Sequence, residues 1–293
     1  MGGWELLAGS GSWNRPLLWL TMGLTAAYVL AVGPLQPAGA GVERVPFIRK
    51  VSFLAGLGLL YVCWGSPLLV LSHVWFSAHM AQMSLSYFIV PPLLLIGLPQ
   101  RALRPLVGRR RGPSVFRRLF DPRAALWSFN GLFVIYHLPS VFDRVMTHAA
   151  AHIAFLTALF ALAVWMWWPL VGPIPEQRLP EAGRKRYIAA NERLLMPACL
   201  LLLLAPLAVF RTYVDPVYRW KALGVCFPPS VAMEAALWPA FGSPLQDQRL
   251  GSLIMLALHA AAFAMMLKFE RYVAGKSEQK KVRLGISLSC SEK

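Results

Sequence analysis

Apolar runs long enough to cross a bilayer recur along this chain, and clusters of arginine and lysine fall between them. That alternation constrains the fold more than any motif does. A segment inside lipid must satisfy its backbone polar groups internally, so such runs fold as helices. They lie at Pro16–Leu35, Val51–Leu71, His73–Pro99, Ala124–His137, His148–Pro169, Leu194–Phe210 and Leu250–Phe269. The pattern predicts an all-α polytopic membrane protein, one integral membrane domain over 1–293 with seven transmembrane helices. Only 14% of residues are charged, whereas a soluble chain carries about a quarter.

Charge then sets topology. A formal net charge of +16 in a soluble protein would suggest nucleic acid. Here the excess sits in loops, so the bilayer is the partner and no nucleic acid is expected. The segment 100–123 carries eight arginines against one aspartate. It reads as a basic cytoplasmic loop whose alternating apolar positions let it lie on the membrane surface. The stretch Gln177–Arg193 is basic as well, and from Lys268 onward seven basic residues face three acidic ones. Seven spans put all three segments on the cytoplasmic side, with the N-terminus out and the C-terminus in. An eighth crossing through GVCFPPSVAMEAALWPAFG is disfavoured by Pro228, Pro229, Glu234 and Pro239. The segment 212–249 therefore reads as an extracytoplasmic cap, 273–293 as a basic cytoplasmic tail, and SVFDRVMTH after Pro139 as a short loop. The first fifteen residues lack a basic n-region, so no cleaved signal peptide is expected. Cys63, Cys199 and Cys226 lie in or beside apolar stretches without metal-ligand spacing and read as small hydrophobes.

The third run, HVWFSAHMAQMSLSYFIVPPLLLIGLP, carries most of the chemistry. Pro91-Pro92 removes two backbone donors, which predicts a kink whose freed carbonyls find partners within the protein. His79 and Met83 stand at i and i+4, so their side chains share one helix face, with Met80 beside them. His148 and His152 repeat that spacing at the start of the fifth run, and Met255 and His259 repeat it in the last. In the seven-span topology His73, His79, His137, His148 and His152 fall in the outer half, and His259 near the middle. Ionisable residues inside a membrane lean towards function. Imidazole with thioether suits copper, held as copper(I). Zinc takes histidine with cysteine or carboxylate, and methionine adds nothing for it. Haem between histidines on two helices is the alternative cofactor.

FSAHMAQMS (Phe76–Ser84), PPLLLIGLP (Pro91–Pro99), WWPLVGPIP (Trp167–Pro175) and SPLQDQRLGSLIM (Ser243–Met255) occur in that order. In these motifs the chain resembles the CtaG-type cytochrome c oxidase assembly factors, associated with caa-type haem-copper oxidases of Gram-positive bacteria. The resemblance implies a non-enzymatic multi-pass protein of the bacterial cell membrane. It would act as a metallochaperone in respiratory-chain biogenesis, with haem-copper oxidase subunits as partners and the buried copper centre as its concern. His79 and Met80 match the family's HM pair, and His148 and His152 its histidines at the start of the fifth span. Met83 stands where an HMxxH pattern would have histidine. Asp247 and Gln248 match a polar pair entering the last span, where aspartate would cap its own helix. A copper transporter and a haem-binding membrane protein are the competing readings.

Overall fold

The computed structural model describes residues 9–33, 45–100, 121–236 and 242–283. These residues are all-helical. Six helices are long and apolar enough to cross a membrane, and a bent pair brings the number to as many as seven. The loop 101–120, and the amphipathic reading placed on it, lie outside the described residues.

Helix α1 (Arg15–Val32) starts at Asn14, whose Oδ1 accepts the Leu17 N–H at 2.9 Å. It packs against α2 (Phe47–Gly65), which is shorter than the run Val51–Leu71 predicted. The chain turns at Ser66-Pro67, because Pro67 has no N–H with which to continue the ladder. Ser66 holds the turn: its hydroxyl donates to Val62 O at 2.6 Å and accepts the Leu68 N–H at 3.2 Å. A separate short helix, α3 (Leu68–Val74), follows. His73 therefore does not open the third span, as the sequence suggested. It sits on α3, beyond a break at the extended residue Trp75 (φ −120°, ψ 128°).

The third span is α4 (Phe76–Ser84), a π-helical turn over Leu85–Ile89, and α5 (Val90–Gly97). It is the axle of the bundle, with 72% of its residues buried against 17–39% in the other five spans. The expected kink takes the form of that wide turn, just before Pro91-Pro92. Pro91 has no N–H for the carbonyl of Tyr87, four residues back. The Trp167 indole supplies the bond at 3.0 Å. Glycines bring helices close here. A Cβ at Gly97 would collide with the backbone of α2 at Arg49 and Phe53.

Helix α6 (Pro122–Tyr136) is followed by α7 (Pro139–Met146), bent from it by 81°. The segment expected to be a loop is thus helical, with Pro139 breaking the ladder and starting the new helix. Helix α8 spans Ala149–Val171 and α9 spans Glu181–Leu204. Helix α9 begins well before the predicted Leu194, so most of the basic stretch Gln177–Arg193 forms its first turns. The cap segment folds as α10 (Arg211–Val214), α11 (Pro216–Cys226) and α12 (Pro229–Ala236). Each is too short for a crossing, which needs about 20 residues. Helix α13 (Pro244–Arg283) has its apolar portion over Pro244–Met266 and continues as helix into the basic tail.

Buried polar side chains stitch the ends of these helices together. Pro206 has no N–H to offer Leu202 O, and Gln248 of α13 donates to that carbonyl at 2.8 Å while accepting the Val209 N–H at 2.8 Å. Asp143 of α7 accepts the N–H groups of Arg211 and Thr212 at 3.1 and 2.9 Å, capping α10. Asp247 caps a helix other than its own: it accepts the Phe76 and Ser77 N–H groups at 2.6 and 3.2 Å, where α4 begins.

Candidate metal site

The break at Trp75 divides the histidines of the third run. On its α3 side, Ser72 O has lost its helical donor and accepts the Tyr213 hydroxyl at 2.8 Å. On its α4 side, the Phe76 N–H goes to Asp247. The cap and the last span thus fix the two halves separately, and His73 and His79 point from different helices.

His73, His152 and Cys226 meet where α3, the first turn of α8 and the end of α11 converge. Their ligand atoms lie within 4.8 Å of one another. The two imidazole centroids are 5.4 Å apart, and Phe227 stands edge-on to His73 at 5.5 Å. The Nδ1–H of His73 donates to Leu69 O at 2.9 Å, one helical turn back. That bond fixes the tautomer and leaves Nε2 as a bare lone pair, the arrangement that orients a ligating histidine. His73 Nε2 and His152 Nδ1 are buried without a partner. Burial pushes the Cys226 thiol up to about 11, so the sulfur is protonated until a cation displaces the proton.

A second set lies along α4, α6 and α13. The Tyr136 hydroxyl is 3.1 Å from His79 Nε2 and donates to Met146 Sδ at 3.7 Å. The hydroxyl thus links His79 to Met146, and His79 Nδ1 is buried without a partner. His137 donates its Nδ1–H to Phe133 O at 2.7 Å, leaving Nε2 bare. His259 has Ser84 Oγ at 3.5 Å from Nε2, and an unpartnered Nδ1. Tyr136 packs against both His79 and His137, with ring centroids 6.1 and 5.6 Å apart, and Phe133 against both His137 and His259, at 4.4 and 5.8 Å. The five buried histidines therefore fall into two sets, His73 and His152 with Cys226, and His79, His137 and His259 among core aromatic rings.

The residues 26–269 match the family model for the cytochrome c oxidase caa3 assembly factor (Caa3_CtaG). The chain belongs to this family. No curated protein and no solved structure matches it. The match runs from within α1 to just past the apolar part of α13, and so takes in every histidine and Cys226.

The site residues expected from sequence are only partly brought together. Met80, Met83 and Met255 are buried in the same core as Tyr136 and Phe142, which surround His79. Met80 lies against α13, where a Cβ added at Gly251 would stand 3.1 Å from its Cγ. His148 is not with His152. Helix α8 starts at Ala149, so His148 is its extended N-cap residue (φ −132°, ψ 112°), outside the helical period that would align the pair. Its ring is exposed and turns back to Arg144 O at 2.8 Å. The sequence reading missed Cys226, Tyr136 and Asp143. Cys226 has no second cysteine or histidine at metal-ligand spacing, and only the folding of the cap onto α3 brings it to the histidines. Tyr136 had a faint signal: it directly precedes a membrane histidine.

Proposed function

We propose that this caa3 assembly factor holds copper(I) between its helices and supplies it to a haem-copper oxidase during copper-centre maturation, without catalysing a reaction. One observation carries the reading. Five buried histidines from separate segments (His73, His79, His137, His152 and His259) each keep one ring nitrogen without a hydrogen-bond partner. An unsatisfied buried polar group costs about 1–3 kcal/mol. Five such groups, with buried methionines in the core around His79, suit soft cations as their missing partners.

The aromatic packing argues against haem. His259 lies 3.8 Å from Phe88, His137 4.4 Å from Phe133, and His79 between Tyr136 and Phe142 at 6.1 and 5.2 Å, all between ring centroids. Rings packed this closely against His79, His137 and His259 suit a single ion better than a macrocycle. Transport across the membrane is disfavoured as well. Beyond His259 the bundle is filled by Phe129, Phe263 and Trp167, and Met265 is exposed rather than lining a path. The arginine-rich sequence at 100–123 supports placing the cap end outside a bacterial cell membrane, with both the N-terminus out and the C-terminus in.

Elemental analysis of the protein purified from copper-supplemented cells tests the reading. Copper should be present and should be lost in the His79→Ala/His152→Ala double variant. A deletion strain should assemble caa3 oxidase depleted in copper. Normal oxidase copper in that strain would rule the assembly role out.

A further inference from the structure

We propose that His73, His152 and Cys226 form a distinct three-ligand port for copper(I), in which the cap supplies the sulfur and the membrane bundle the two imidazoles. This deepens the copper reading above and rests on it. Among the described residues these three are the one group of histidine, cysteine and acidic side chains close enough together to share an ion. His79 is not part of it, so the port and the His79 region are separate stations.

Two independent features point to a ligand. His73 and His152 are 1% and 5% exposed, each has a buried ring nitrogen without a hydrogen-bond partner, and each brings a ring nitrogen within 4.8 Å of the other two ligand atoms. Cys226 lies at the rim of a small apolar core that joins the cap to α3 through Val70, Val74, Leu223 and Phe227. The same packing that seats the cap therefore delivers the sulfur. Lifting α11 would withdraw one ligand and leave the other two in the bundle, a simple route to entry or release.

Charge selects the ion. Binding breaks the S–H bond of Cys226, forms a sulfur–metal bond and sends the proton to water. One thiolate and two neutral imidazoles then make a net-neutral complex with copper(I). A divalent ion would leave one positive charge in a poorly solvated place, which is costly. No carboxylate belongs to the three-ligand group, so among the described residues none is placed to coordinate the ion and cancel that charge. Two histidines with one cysteine also form a recurrent copper ligand set.

The test uses the full-length protein, reduced, in detergent. Copper(I) is added against a competing chromogenic chelator, and maleimide labelling of Cys226 is followed by peptide mass spectrometry. Bound copper(I) should slow labelling by about tenfold or more, since coordination removes the free thiolate that reacts. Copper-edge X-ray absorption should show thiolate scattering. Cys226→Ser, which barely changes volume, should lose that scattering and one equivalent of copper. His79→Ala should retain the protection of Cys226. Unchanged labelling of Cys226 in a copper-loaded wild type would overturn the port while leaving the copper reading intact. Protection by zinc(II) but not copper(I) would overturn it too. A wild type that binds no copper would remove both.

Discussion

The two ends of the bundle treat buried polar groups in opposite ways. Away from the cap, the amide and tyrosine donors are spent on acceptors. Asn130 donates to Leu126 O and to Asn191 Oδ1, both at 2.8 Å, and Asn191 donates to Tyr187 O at 2.9 Å. Tyr187 donates to Met166 O at 3.0 Å, and Tyr28 to Gly97 O at 2.8 Å. Asn130 Oδ1 is the acceptor left over. Towards the cap, the carboxylates are just as fully engaged, yet each buried histidine keeps a ring nitrogen without a hydrogen-bond partner. Poor packing would have left both residue types wanting. The difference fits carboxylates and amides that hold the scaffold, and it is what the proposed copper role asks of the histidines.

The largest effect should come from removing a scaffold carboxylate. Asp247→Ala strands the Phe76 and Ser77 N–H groups at the start of the axle helix. Two buried donors without partners should cost about 3 kcal/mol or more, read as a large drop in the thermal unfolding midpoint in detergent. Asp247→Asn keeps an acceptor and should lose less. Equal losses would mean that the bonds contribute little.

Copper(I) should stabilise the wild type nearly as much as Asp247→Ala destabilises it. At a free concentration 100 times Kd the gain is about 2.7 kcal/mol. The same midpoint shift should be absent in the His79→Ala/His152→Ala variant. A shift that survived there would place the ion away from the histidines.

Next comes the contact between the axle and the last span. A Cβ at Gly251 would stand 2.7 Å from the Phe76 ring. Gly251→Ala should therefore cost about 1–3 kcal/mol by overpacking, and should weaken copper binding by displacing Met80. A neutral substitution would show that this helix pair has room to shift. In the other half, Asn191→Leu removes the partner of Asn130 and should cost about 1 kcal/mol, the scale of interhelical hydrogen bonds in membranes, with copper binding untouched.

How much of this was legible in the sequence depends on the range of the interaction. Spans were legible because lipid imposes a composition on every crossing. The need of Tyr87 O for a new donor was legible from Pro91, although the donor Trp167 was not, because local sequence does not say which helix lies alongside. The i, i+4 rule failed at His148, since it holds only inside a helix and α8 begins one residue later. It also misled at Asp247: a polar residue entering a helix was read as that helix's own cap, whereas packing presents it to α4. Cys226 was the hardest. Its role depends on the cap folding back onto α3, and nothing within ten residues of it records that.

The smallest expected effect bears most directly on the comparison. His137→Leu removes a bare Nε2 that bonds to nothing and an Nδ1–H that goes to Phe133 O. That carbonyl keeps a donor, because the His137 backbone N–H also reaches it, at 3.3 Å. No buried group is stranded, and an apolar side chain takes the place of an imperfectly paired one. Replacing such a group by an apolar one of similar shape is close to neutral, so the unfolding midpoint should move by less than about 1 kcal/mol of stability. Copper(I) affinity should fall nonetheless, because His137 shares Tyr136 as a ring neighbour with His79 and Phe133 with His259. A loss as large as that of Asp247→Ala, with copper binding unchanged, would assign the histidines to the scaffold and erase the contrast between the two ends.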